Sequence, residues 1–533
     1  MKLITEASAE KLRGGFYTPA TIAEFLIKWG VHEQSTSLDI LEPSCGDGIF
    51  LSEISKRDIA YNSVKAIELD EIEYAKANKI VLRNKQILNC DFLEYCNNTK
   101  DKFDLIIGNP PYIRYQFFNK EQQTEAQIIF EKFKIKYSKL TNIWVPFVIG
   151  SSFLLKEKGK IAFVLPAEIL QVSYAKELRN FLAHFYNDIF IVSFKKLVFP
   201  DIQQEVVLLM CEKNDSSEHT INHIELENAE CLKTLKFDDL KRNKKSIDFN
   251  NNKWTFYFLD QKEIDFLESV SEKYKIPTIK DYANVEVGIT TGSNSFFTVD
   301  KNTVQTYGLS KYAKPMVGRS VQVKSLIFNE KDWTENVENN SKAYLLTFPN
   351  DKPILNGAKS YIQYGESLDI HKGYKTSIRE NWYVVPSLKM SDALFIRRNH
   401  LYPKLIINDV SAYTTDTMHR VFIKSGVNLK AFIGSYYNSL SLAFTEVCGR
   451  SHGGGVLELM PNEVENVLLP YNVNNQELVE KIDELIRRNI GIEDILEFTN
   501  AIILKQYYGM QDEEIRIAHS IWKKLMSRRI NRN

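Results

Sequence analysis

LDILEPSCGDGIFL (Leu38–Leu51) reads as a short apolar strand, a turn holding Gly46 and Gly48, and the start of a helix. Two glycines in such a turn let a ligand approach the backbone closely and let strand and helix pack tightly. The turn is not the dinucleotide fingerprint, because no third glycine follows at the required place. Outward from it, apolar runs at Val64–Leu69, Phe103–Ile107, Lys160–Leu165 and Ile189–Phe194 alternate with helical patterns such as Thr21–Trp29 and Ile72–Asn78. A last strand, Glu205–Met210, follows the break at Phe199-Pro200. Nearly continuous apolar strands alternating with helices predict an α/β fold, a doubly wound and mostly parallel sheet covered on both faces.

The second strand, VKAIELD, ends near Glu68, about 20 residues beyond the glycines. An acidic residue there in a doubly wound fold accepts hydrogen bonds from the hydroxyls of a ribose. Cys90-Asp91-Phe92 follows the third strand and sets a carboxylate and an aromatic ring at the same crevice, suited to the amino group and the face of an adenine. Either acid alone reads as an ordinary solvated loop residue. In this order, after the Gly turn, they point to a ligand carrying a nucleoside.

The fourth strand, FDLIIGNPPY, closes on Asn109-Pro110-Pro111-Tyr112. Two prolines remove two backbone N–H donors and fix the turn. What remains is a set of acceptors, the Asn109 side-chain oxygen and the Pro110 carbonyl, which suits an –NH₂ group that must give up hydrogens. An exocyclic amine conjugated to a ring is a poor nucleophile because its lone pair is delocalised. Accepting both of its N–H groups draws the nitrogen toward tetrahedral geometry and localises that pair. Tyr112 adds a flat surface for a planar base. The sequence offers no Ser/His/Asp or Cys/His constellation as a general base, and this chemistry does not require one.

These motifs, in this order, resemble the gamma class of S-adenosylmethionine-dependent DNA adenine-N6 methyltransferases of restriction–modification systems. The order is GGFYTPATIAEFLIKW (Gly14–Trp29), EPSCGDGIFL, NPPY, then a long C-terminal half. The resemblance is strong over roughly the first 212 residues and looser beyond. It implies a class I, Rossmann-like methyltransferase fold with a C-terminal mixed α+β target recognition domain. It also implies that Tyr17, Thr18 and Pro19 contact the methionine part of S-adenosylmethionine and that Glu42, Pro43, Ser44, Gly46 and Gly48 form the loop around it. Glu68 would hold the ribose, Asp91 and Phe92 the cofactor adenine, and Asn109, Pro110 and Tyr112 the target base, with Asn109 counted among the cofactor-binding residues as well. Phe199 matches the family's second aromatic on that base. Ser44 stands where many methyltransferases have the first glycine, a variant the gamma class accepts.

The adenine amino group lies inside the duplex, so such a site requires the nucleotide to be rotated out. Double-stranded DNA is therefore the implied substrate, and a separate restriction endonuclease, without a stable complex, the implied companion. Alternatives in the same chemistry are cytosine-N4 transfer, methylation of another nucleic-acid amino group, and methylation of a protein glutamine, whose enzymes also use NPPY but are usually shorter. A different class, a DNA-binding protein with a disabled catalytic half, is opposed by the intact Asn109 and Tyr112.

The composition is ordinary for a globular chain: 533 residues, 44% hydrophobic, and 68 basic against 68 acidic residues, which excludes a uniformly basic nucleic-acid coat. Six scattered cysteines without a CxxC pair argue against a structural zinc site and fit a reducing cytoplasm. No metal, no membrane span and a monomer are expected; the apolar stretch Leu140–Leu155 is too short for a bilayer and reads as a buried core helix. The domains expected are 1–245 (catalytic), 255–470 (target recognition) and 471–533 (helical, packing on or completing the recognition domain). In the second half, His371–Lys404 interleaves Lys372, Lys375, Arg379, Arg397 and Arg398 with aromatic residues, the expected DNA surface. VEVGITTGSNSFF (Val285–Phe297) and GRSHGGGVLELMP (Gly449–Pro461) resemble recognition-domain stretches. The tail basics, including Lys523, Lys524, Arg529 and Arg532, favour a role in holding DNA.

Overall fold

A computed structural model describes residues 17–32, 37–138, 141–199, 204–242, 244–249, 253–452 and 454–531. Gly14–Phe16, Pro200, Gly453 and Arg532 lie outside the described residues. The chain divides into two compact units, one ending at Gln261 and the other Lys262–Asn531.

The first unit is built on nine strands: β1 Leu38–Glu42, β2 Tyr61–Ile67, β3 Lys85–Leu88, β4 Phe103–Gly108, β5 Leu155–Pro166, β6 Asp188–Phe194, β7 Val206–Glu212, β8 Thr220–Leu226 and β9 Lys245–Ser246. Their spatial order is β3-β2-β1-β4-β5-β7-β6-β8-β9. β1 pairs in parallel with both β2 and β4, and β7 runs antiparallel between β5 and β6. The order reverses direction at β1 and β4, and ligands of open α/β sheets bind in the crevice that opens at the carboxyl ends of the strands at such a switch point. The Gly turn follows β1 and the NPPY stretch follows β4, so both lie at that place.

Central strands are buried on both faces, as at Leu105, Ile106 and Ile107, which explains their unbroken apolar runs. Helices α1 Ala20–Val31, α2 Ile49–Ser55, α3 Glu71–Asn78, α4 Phe92–Asn98, α5 Lys120–Lys132 and α6 Trp144–Phe153 accompany the sheet. Asp70 and Asp91 cap α3 and α4 by accepting from backbone N–H groups of the first turn. α6 is the core helix expected within Leu140–Leu155, with Trp144 and Ile149 fully buried. No helix among the described residues is long and apolar enough to cross a membrane.

The second unit carries a five-stranded sheet in the order Ala283–Val287, Met418–Ile423, Ala393–Ile396, Leu405–Asn408, Ile327–Phe328. Smaller sheets and helices surround it, a mixed α+β arrangement. The helix Leu478–Arg487 buries Leu478, Val479 and Ile482. Asn489, at φ +58°, makes the left-handed turn, whereas Gly491 caps the start of the next helix. The segment from 471 onward belongs to this unit: Asp512–Ile530 packs along Ser439–Cys448 with Trp522 fully buried.

Candidate active site

The Gly turn divides its two glycines between two tasks. Gly46 has φ +53°, and a Cβ there would meet nothing within 4 Å, so its backbone faces open space. Gly48, at φ +91°, leaves no such room: a Cβ would lie 2.5 Å from Ile80 and 3.3 Å from Ala77. Gly46 thus leaves backbone open to close approach, whereas Gly48 serves close helix packing.

Carboxylates gather around this turn. Glu68 accepts from the Gly46 N–H at 2.7 Å and from the Asp70 N–H at 2.9 Å, tying the end of β2 to the turn after β1. Glu42 is 2% exposed, and its Oε2 has no hydrogen-bond partner among the described residues. Burial, then the neighbouring Glu68 and Asp47, hold its carboxyl well above the usual range. Burial also raises Glu68 and Asp47. Tyr17 is exposed and donates to Glu73, Thr18 is buried, and Pro19 directly precedes α1. The crevice is acidic, and Glu42 Oε2 in it is a buried carboxylate oxygen without a donor among the described residues.

Asp91 accepts from the Leu93 N–H through Oδ1 and from the Gln122 side chain, at 3.1 Å, through Oδ2. Gln122, on the helix that follows NPPY, was invisible to sequence reasoning, since nothing in KEQQTEAQ marks one glutamine over the next. Phe92 corrects an expectation. It is 2% exposed and packs on Phe147 at 4.8 Å between ring centroids, so its ring is core, and an adenine face cannot rest on it. What Phe92 contributes at the crevice is its position as the first residue of α4.

At the end of β4, the Gly108 backbone lies against the first turn: a Cβ there would be 3.5 Å from Pro43 and 3.8 Å from Glu42. The Tyr112 hydroxyl donates to Asn109 Oδ1 at 2.9 Å and lies 3.2 Å from the Val164 carbonyl. The hydroxyl is deeply buried and its acidity suppressed by that burial, while the ring is part-exposed. The Ser44 hydroxyl donates to the Asn109 carbonyl at 3.2 Å. A glycine at 44 could not do this, so the departure from the usual pattern has a structural use that motif matching did not reveal. Pro110 is buried. Phe199 is 8% exposed in the same hydrophobic cluster against which Tyr112 packs, so the two aromatics share a neighbourhood.

In the second unit the five expected DNA residues separate into two groups. Lys372, Lys375 and Arg398 are exposed. Arg379 is not a free surface cation: it donates to the carbonyls of Thr290, Thr291 and Trp382. Arg397 is paired with Glu458 at 2.9 Å and donates to the Asp416 carbonyl. Arg398 also reaches Glu458, at 3.1 Å, while staying largely solvated. Three of the tail basics are paired within the unit as well. Lys523 pairs with Glu493, Lys524 with Glu263, and Arg529 with Glu446, so they tie the unit together. Gly455 packs against that tail, its carbonyl accepting from Arg529.

Residues 35–199 match the family model for the Eco57I restriction-modification methylase, and residues 251–504 the model for the C-terminal domain of type II methyltransferase M.Eco57I. The chain is 24% identical over 519 residues to the type II methyltransferase M.AccI of Acinetobacter calcoaceticus, covering 88% of this chain and 92% of that one. The chain belongs to the Eco57I-like type II restriction–modification methyltransferase family. A shorter stretch of 136 residues is 29% identical to the tRNA1(Val) (adenine(37)-N6)-methyltransferase of Haemophilus influenzae, 24% of this chain and 54% of that one. In fold, this methyltransferase superposes on the type IIL restriction-modification enzyme MmeI in complex with DNA at a TM-score of 0.59, with 13% identity, covering 96% of this chain and 75% of that one.

S-adenosylmethionine is the standard cofactor of this family. The residues present fit it. A donorless buried oxygen on Glu42 and an acidic surround suit a ligand bearing an ammonium and a sulfonium, and the open backbone at Gly46 admits it.

Proposed function

We propose that this methyltransferase moves a methyl group from S-adenosylmethionine to the N6 amino group of an adenine rotated out of duplex DNA at specific sites, protecting that DNA from a separate restriction endonuclease. The observation that carries the reading is the mounting of Asn109. Its carboxamide is held by Tyr112 and its main chain by Ser44, directly beside the Gly turn. The Tyr112 hydroxyl uses one lone pair of Asn109 Oδ1, and a carbonyl oxygen has a second to offer an incoming N–H. The Pro110 carbonyl takes the other N–H of the amine.

When bound, S-adenosylmethionine supplies an electrophilic methyl group. Glu42, with Tyr17, Thr18 and Pro19, would hold its methionine end, Glu68 the ribose hydroxyls, and Asp91 the adenine amino group. Rotating a nucleotide out of the stack costs a few kcal/mol. Stacking on Tyr112, with Phe199 beside it, returns about 1–3 kcal/mol. Adenine rather than cytosine is favoured by the NPPY order and by the relative named for adenine-N6 transfer.

The direct test incubates the full chain with the cofactor and duplex DNA, then digests the DNA to nucleosides for mass spectrometry. N6-methyladenine is expected. N4-methylcytosine, or methylation of protein instead, overturns the reading.

Two further outcomes follow from the geometry. Tyr112→Phe removes the donor that orients Asn109, a loss of about 1 kcal/mol. The expected effect is a kcat about fivefold lower, with little change in cofactor affinity; kcat equal to wild type would show that the hydroxyl does not position Asn109. The second concerns pH. A cationic ligand group beside Glu42 favours the ionised carboxylate, so binding expels a proton from a group whose acidity is suppressed in the free protein. Cofactor affinity should therefore rise as pH increases and level off once Glu42 is ionised in the free enzyme. Calorimetry across pH checks this, and Glu42→Gln should flatten most of the dependence.

A further inference from the structure

Four loops of the second unit meet at one edge, and they approach one another unusually closely. The Gly288 backbone runs so near Thr415 that a Cβ at 288 would lie 1.9 Å from the Thr415 carbonyl oxygen. Ile289 bridges Thr415 in parallel. Gly292, at φ +86°, abuts the Gly373–Arg379 turn, where a Cβ would meet Thr376, Lys375 and Arg379 at 3.0–3.3 Å. Arg379 fastens that turn to the carbonyls of Thr291, at 2.8 Å, and Thr290, at 3.3 Å. Thr417 donates to the Gly318 carbonyl at 2.8 Å and so brings in the loop carrying Arg319. Lys342 donates to the Ser295 carbonyl at 3.3 Å.

The exposed side chains at this edge are of two kinds. Arg319, Lys342 and Lys375 are exposed cations around it. Between them lies Asn294, also exposed, whose amide is fixed from both sides: Oδ1 accepts from Thr291 at 2.6 Å and Nδ2 donates to Asp416 at 3.1 Å. One acceptor lone pair and one N–H of that amide remain for another molecule. A clamped carboxamide with one donor and one acceptor to spare matches the N7 and N6 edge of adenine in the major groove. Cations at the rim match phosphates.

Resting on the DNA methyltransferase reading above, we propose that this edge is the surface that reads duplex DNA. Asn294 is its specificity-determining residue, Arg319, Lys342 and Lys375 contact phosphates, and Arg379 positions the loops from beneath. The assignment moves base reading to the Thr290–Ser295 and Thr415–Thr417 loops. It also removes Arg397 from the DNA surface, since that side chain serves Glu458 and the Asp416 carbonyl.

The test uses the full chain, a labelled duplex and a random-sequence duplex library read by methylation-sensitive sequencing. Wild type defines the salt slope of duplex binding and the methylated sequence. Neutralising Arg319, Lys342 and Lys375 together to alanine should reduce the steepness of the slope by about 2–3, at about 0.9 for each phosphate that no longer meets a cation. Asn294→Ala should keep the slope and relax preference at one base position at least about tenfold, as removing a base-reading side chain does. Arg379→Ala should relax the pattern too, and Arg379→Lys should restore part of it, which a generally destabilised unit would not do. An unchanged slope in the triple variant, or an unchanged sequence pattern in Asn294→Ala, overturns the assignment while wild-type methylation leaves the catalytic reading intact. Wild type that methylates no DNA sinks both.

Discussion

Asn109→Ala is expected to lower methyl transfer to duplex DNA by about 10²–10³-fold or more while leaving cofactor binding within a fewfold of wild type. The size follows from what the side chain does. A preorganised hydrogen-bond partner aimed at the reacting group contributes on that scale when removed singly. Here the removal also frees the Tyr112 hydroxyl, whose bond to Oδ1 runs at 2.9 Å, and leaves that buried group to seek other partners. The fold has little at stake, because Asn109 is a part-exposed loop residue beyond the last position of β4. The features assigned to the cofactor, Glu42, the Gly46 backbone and Glu68, do not depend on the Asn109 side chain. Asn109→Asp keeps an oxygen acceptor in the same place and should retain more activity than the alanine variant. Single-turnover transfer of a labelled methyl group, with calorimetry for the cofactor, separates the two effects. Transfer by the alanine variant at the wild-type rate would remove Asn109 from the reaction. Loss of cofactor binding in step with activity would make it a structural residue of the Gly turn.

The parallel sheet was legible because its signal is local. A strand buried on both faces must be apolar without interruption, and Leu38–Leu41, Phe103–Ile107 and Ile189–Phe194 are nearly so. The placing of residues at the crevice was legible where one motif carries them together in the chain, as in Gly46 and Asn109-Pro110. They were misread where function depends on which way a ring turns. Phe92 stands beside Asp91 in the chain, yet as the first residue of α4 it turns its ring toward Phe147 while Asp91 caps the helix. Gln122 was missed, and the bond that Ser44 makes was not foreseen, for the opposite reason: each is a single hydrogen bond to a residue at least 31 positions away, Ser44 to Asn109 and Gln122 to Asp91.

In the second unit the sequence showed how many basic residues there are but not which of them are paired inside the unit. A run of lysines and arginines reveals charge but not its counter-charge, and here the partners are remote. Arg397 and Arg398 meet Glu458, and Arg529 meets Glu446, across 83 residues in the latter case. Exposure separates the two roles: Arg319, Lys342 and Lys375 face solvent, whereas Arg379 and Arg397 are drawn in among carbonyls.

Arg529 gives a large expected stability effect. It is 2% exposed and its guanidinium donates to both oxygens of Glu446, at 3.1 Å and 2.6 Å, and to the carbonyls of His400 and Gly455. Glu446 is deeply buried too; burial raises its carboxyl, and Arg529 is what opposes that rise. Arg529→Met fills much of the same volume but leaves Glu446 and two carbonyls without their donor. Breaking a buried pair on one side costs about 3–5 kcal/mol. For a unit of this size the corresponding fall in Tm is roughly 10 °C. The sign of the pH effect is fixed by the stranded acid. Its folded-state pKa lies above the unfolded value, so the neutral form is favoured in the fold, and the penalty should shrink as pH falls toward the carboxylate range and grow as pH rises. Adding Glu446→Gln to Arg529→Met removes the uncompensated charge and should recover a large part of the loss. Calorimetric unfolding of the four proteins at two pH values measures the coupling. A single-variant loss below about 1 kcal/mol would mean that the C-terminal helix is held by Trp522 and its apolar neighbours alone, with the ion pair contributing no more than an exposed one does.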